Sequence, residues 1–60
     1  MSWEPSEAVK FTKKADTYEK QALWARTANS IFSNTGDKVK AVRLANAAVR
    51  DADQYVSEGS

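Results

Sequence analysis

Ser33-Asn34-Thr35-Gly36-Asp37 is the stretch on which the fold of this 60-residue chain turns. Glycine readily takes the left-handed conformation that closes a helix, and aspartate directly after it is suited to cap the next one, with Thr35 as the other candidate cap. Alanine-rich sequence lies on both sides and carries the same phrase twice, as Arg26-Thr27-Ala28-Asn29 and Arg43-Leu44-Ala45-Asn46. The spacing predicts two helices, over 15–34 and 37–56, folded back on each other about Gly36. Alanine is so frequent here that the doubled phrase is weak evidence of duplication.

Helical spacing then assigns faces. At about 100° per residue, Phe11, Ala15, Tyr18, Ala22, Ala25, Asn29 and Phe32 fall on one side of the first helix, with Ala28 at its margin. Leu23, Trp24 and Ile31 do not, and Trp24 and Ile31 lie almost opposite, so two sides of this helix ask for burial. The second helix carries a cleaner stripe of Val42, Ala45, Val49, Ala52 and Val56, broadened by Ala41, Ala48 and Tyr55. Pro5, with Glu4 and Glu7 around it, suits the start of a further helix near the amino terminus. The fold class expected is all-α: a single domain made of an antiparallel helical hairpin with an amino-terminal helical segment, 1–14, packed across it. The tail, 57–60, is expected to fray.

Composition excludes more than it assigns. A chain of this length buries only about 60% of the surface its unfolded form exposes, and small domains commonly add a disulfide, a metal or a partner subunit. There is no cysteine and no histidine, so thiolate chemistry, the commonest zinc ligands and the usual general base are all missing. Self-association is the staple left to expect. Nine basic against eight acidic residues leave a net charge of +1, well short of the excess that marks a dedicated nucleic-acid binder. No apolar run approaches a membrane span, and the amino terminus lacks the basic start and apolar core of a signal peptide. A cytoplasmic protein, with no cofactor and no metal, is the expectation.

Candidate residues follow from these faces. Trp24 with Ile31 and the neighbouring Leu23 is the expected protein interface, since tryptophan beside an aliphatic residue is a common interface anchor; the alternative is burial under the amino-terminal segment. Asn29 falls within the apolar face, where a carboxamide needs hydrogen-bond partners, and is expected to bond across the hairpin or to its turn. Asn46 lies off the centre of its stripe and is equally compatible with solvent. Lys38, Lys40, Arg43 and Arg50 offer a weaker nucleic-acid reading, in which the second helix enters a groove; Asp37 at its start opposes this. The carboxylates show no paired placement, and there is no phosphate loop or nucleophile motif, so a non-enzyme is expected. The expected partner is another protein or a second copy of the chain.

Ala28-Asn29-Ser30-Ile31 and Leu44-Ala45-Asn46-Ala47-Ala48-Val49-Arg50, with Tyr18 upstream, are similar to the ChaB family of small bacterial and phage-encoded proteins, labelled regulators of cation transport. That family joins a helix bearing a phrase like F-N-S-A to a second helix ending in something like A-W-A-A-V-K. The resemblance spans about 15–50; Asn46 stands where tryptophan is common, and the family's amino-terminal proline-containing phrase is missing. Phrases of this kind also resemble short phage-encoded proteins. The resemblance implies a regulator of a transporter in a bacterial host cell and transfers no catalytic residue.

Overall fold

The chain begins with a 3₁₀ helix, Pro5–Lys10, and continues into two long helices, α1 (Tyr18–Thr35) and α2 (Lys38–Gly59), which pack against each other as an antiparallel hairpin. The computed structural model describes the backbone of residues 2–59 and the side chains of residues 2–54. Among these no strand occurs, and the fold is all-α.

Each helix boundary has a local cause. Pro5 occupies the first turn of the 3₁₀ helix, where a missing N–H costs nothing, and the Glu7 carboxylate accepts the Glu4 N–H at 3.2 Å. Phe11 to Thr17 separates this helix from the hairpin. α1 starts at Tyr18 rather than at Ala15, because the Thr17 hydroxyl caps it by accepting the Lys20 N–H at 3.2 Å. Gly36 closes α1 with φ 70°, its N–H bonded to the Phe32 carbonyl at 2.7 Å. Asp37 then caps α2, its carboxylate accepting the Lys40 N–H at 3.0 Å, while the Thr35 hydroxyl donates back to the Ile31 carbonyl. α2 runs on to Gly59, past the expected end at Val56; Ser60 lies outside the described residues.

The core is built from Ala8, Ala15, Trp24, Ala25, Ala28, Ala41, Ala45 and Val49, with Trp3, Ile31, Phe32 and Val42 packed against it. Six of these twelve are alanine, which lets backbones come close and leaves the remaining volume to a few aromatic rings. The two stripes read on the first helix are flanks of one broad face. Trp24 and Ile31 lie on one side of Ala28 and Ala25 and Phe32 on the other, each within about 60° of it at 100° per residue. Ala28, placed at the margin by sequence, is the centre of that face and is fully buried. Tyr18, expected to face inward, is 73% exposed: it is the first residue of α1 and lies about 80° from Ala28 by helical spacing. On α2 the expected stripe is correct: Ala41, Ala45 and Val49 are buried, with Val42, Ala48 and Ala52 half-buried beside them. Tyr55 and Val56 have side chains outside the described residues.

Candidate functional site

The two tryptophans are the partners of both asparagines of the doubled phrase. Trp24 is fully buried. Phe11 stacks on its ring at 4.9 Å with an interplanar angle of 12°, and Trp3 meets it edge-on at 5.9 Å. Trp3 also packs edge-on against Phe32, at 5.6 Å. Such pairs are worth roughly 0.5 to 1.5 kcal/mol each beyond the area they bury. Trp24 is therefore not a surface anchor: the amino-terminal segment covers the flank of α1 that sequence left open. Ile31 packs half-buried against the core, and Leu23 is half-buried near Ala52 of α2.

The asparagines of the doubled phrase hold these tryptophans, one each. Asn29 does not bond across the hairpin or to its turn. It clamps the Trp3 backbone instead, accepting the Trp3 N–H at 2.7 Å and donating from Nδ2 to the Trp3 carbonyl at 3.1 Å. Asn46 is turned inward rather than left to solvent, and its Oδ1 accepts the Trp24 indole N–H at 2.7 Å. An indole nitrogen only donates, so the amide oxygen must face Trp24 and the amide NH₂ must point away from it. The signal for the Asn29 partner was absent from sequence, because a backbone 26 residues away leaves no trace in helical periodicity.

Asn46 also lines a cleft on α2. This hollow, about 340 Å³, is bounded by Thr12 and Lys14 from the loop and by Arg43, Asn46, Ala47 and Arg50 from α2. Arg43 and Arg50 stand two helical turns apart on the same side, and neither makes an ion pair among the described residues. Lys40 joins Arg43 in the adjoining hollow with Asp37, Leu44 and Ala47. Lys38, grouped with these cations by sequence, is elsewhere: it borders a separate cleft with Ser2, Trp3, Glu7 and Phe32. A 100° step per residue puts Lys38 near the inner side of α2 and the other three near its outer side.

A second charged group closes the carboxyl-terminal end of the hairpin. The Lys20 ammonium lies 2.7 Å from Asp53 and 2.9 Å from Asp16, and Lys14 lies 3.5 Å from Asp53. The hydrogen bond from Lys20, then its charge and that of Lys14, hold the Asp53 carboxyl below its ordinary value against the opposing effect of burial. Hydrogen bonds to Asp53 and then Asp16 raise Lys20 above its own. The group ties the 11–17 loop and α1 to α2.

Among the described residues no group of three or more His, Cys, Asp or Glu side chains is placed to hold a metal ion, and no helix is long and apolar enough to cross a membrane. The large apolar side chains left exposed, Val9, Phe11, Tyr18, Val39 and Leu44, are spread over different elements. No protein-family model, curated protein or solved structure matches the chain.

Proposed function

We propose that this protein is a non-enzymatic interaction module that docks an acidic segment of a partner protein in the cleft between the 12–14 loop and α2. The observation that carries this reading is the convergence of Lys14, Arg43 and Arg50 on one hollow, with both guanidiniums unpaired among the described residues. Arginine is enriched among residues that dominate binding energy, and its planar fork suits carboxylates. Asn46, fixed by Trp24, gives the cleft a rigid wall, so little ordering is needed when a ligand enters. Trp24 and Ile31 pack inside the chain, which supports a reading that does not use them as anchors. A nucleic acid is the weaker reading, because Asp37 sits at the start of α2 and Lys38 faces another cleft.

The test is a residue-resolved NMR titration with a glutamate-rich peptide, alongside a lysine-rich peptide and duplex DNA. The expected result is shift changes confined to 12–14, Arg43, Asn46 and Arg50 with the glutamate-rich peptide, abolished in the Arg43→Glu/Arg50→Glu double variant. Duplex DNA binding more tightly than the acidic peptide at the same salt, or no change at these residues, would overturn the proposal.

A further inference from the structure

We infer that the cleft lined by Thr12, Lys14, Arg43, Asn46 and Arg50 is a receptor for a phosphomonoester dianion, carried on a side chain of the partner protein. The inference rests on the docking reading above and names the group that fills the site.

The chemistry of the lining points this way because every polar side chain in it has a donor to offer. Arg43 and Arg50 each present five N–H groups in a fixed fork. The Asn46 oxygen is taken by the Trp24 indole, which leaves its amide NH₂, unbonded among the described residues, for the cleft. Thr12 Oγ1 accepts the Lys14 N–H at 3.2 Å, so its hydroxyl proton is left to donate outward. The Lys14 ammonium is more than half exposed and only loosely paired, at 3.5 Å from Asp53. Asp53 itself, the acid beside the loop, is held by Lys20 at 2.7 Å. A carboxylate offers two oxygens and one charge. A phosphoryl group offers three oxygens and a charge of about −1.5 to −2 at neutral pH, which matches donors arriving from both the loop and the helix.

The same placement favours one phosphate over a chain of them. Duplex binders track the backbone through several phosphate contacts in a row. Here the cations beyond the cleft are dispersed: Lys40 shares its hollow with Asp37, and Lys38 shares a cleft with Glu7. A single compact site fits a terminal monoester.

The experiment is calorimetric and NMR titration of the full chain with a phosphoserine peptide, its glutamate-substituted and unmodified forms, free phosphoserine and a single-stranded oligonucleotide. The phosphopeptide is expected to bind at least about tenfold more tightly than the glutamate form, as charge-assisted multidentate contacts do. Asn46→Asp is the decisive variant, because it keeps an oxygen for the Trp24 indole while replacing the outward NH₂ by an acceptor. It should stay folded, with the Trp24 indole resonance in place, and lose phosphopeptide binding; Arg43→Gln and Arg50→Gln should each weaken it by at least about tenfold. Equal affinity for the phosphoserine and glutamate peptides would overturn the phosphate inference and leave the acidic-partner reading standing. Binding of neither would overturn both. Free phosphoserine binding as tightly as the peptide would overturn the assignment to a partner protein, tighter binding of the oligonucleotide would overturn the single-site assignment, and undiminished binding by Asn46→Asp would overturn the placement in this cleft.

Discussion

Asn46 accepts the indole N–H of Trp24 at 2.7 Å, and this hydrogen bond joins α2 to the largest buried side chain of α1. The two residues lie 22 positions apart, one on each side of the Gly36 turn, so the bond sets how the helices of the hairpin slide past each other. A stripe of alanines defines that register poorly, because small side chains interlock little. Asn46→Ala strands a buried donor and should cost about 1 to 3 kcal/mol. In a domain of this size that lowers the melting temperature by roughly 4 to 8 °C per kcal/mol, measurable by circular dichroism. Asn46→Asp should recover most of the loss, because its carboxylate still accepts the indole N–H.

Asn29 acts on the amino-terminal segment alone. Its amide completes the Trp3 backbone as a paired strand would, and the 3₁₀ helix packs chiefly on α1. Asn29→Ala should therefore loosen Trp3 while leaving the hairpin formed. The expected cost is about 1 kcal/mol, at the low end for lost hydrogen bonds because water reaches this half-buried site. Quenching of Trp3 fluorescence by iodide should rise, with helical circular dichroism nearly unchanged.

Gly36 has φ 70°, and a Cβ built there would meet nothing within 4 Å. Gly36→Ala should thus be penalised by backbone conformation rather than by a clash, at about 1 to 2 kcal/mol. Chemical denaturation would show a lower midpoint with an unchanged slope, since the surface exposed on unfolding stays the same.

The Lys20 and Asp53 pair gives stability a pH dependence with a definite sign. The folded carboxyl of Asp53 lies below its ordinary value of 3.8, so its contribution is complete above that value and is lost as pH falls through the lower folded one. Lys20 is raised above 10.5, so its share is complete below that value and disappears as pH rises through the folded one. Between these limits the difference in melting temperature between wild type and Asp53→Asn should be flat, and it should shrink in strong acid. The flanking Asp16 and Lys14 side chains are exposed and screened, so added salt should shrink it too.

The hairpin was legible because Gly36, Asp37 and the α2 stripe each act within a few residues of themselves. Capping and periodicity are local, and they placed α2 and its turn closely. Trp24 was half legible: burial under the amino-terminal segment stood as the alternative to an interface, and periodicity could not choose between them. Its burial depends on Trp3 and Phe11 arriving from a segment whose own helical signal is short, and on an asparagine beyond the turn. Reading Ala28 as an edge split one wide face into two, and the apparent surplus made a core residue resemble an interface anchor. The cleft was half legible: Arg43 and Arg50 share a side of α2 by simple periodicity, while Lys40 lines the adjoining hollow and Lys38 a separate cleft. The contribution of Thr12 and Lys14 required the path of the loop.

Hydrogen exchange at the two indole nitrogens is the most direct test of a chain that closes its own core around Trp24. The Trp24 indole proton should exchange at least about a hundredfold more slowly than that of Trp3, as a buried hydrogen-bonded proton does when only opening exposes it, and the ratio should be independent of protein concentration. Equal exchange at both indoles would show that the chain does not enclose Trp24, and protection of Trp24 that disappears on dilution would show that another copy covers it; either would contradict the account.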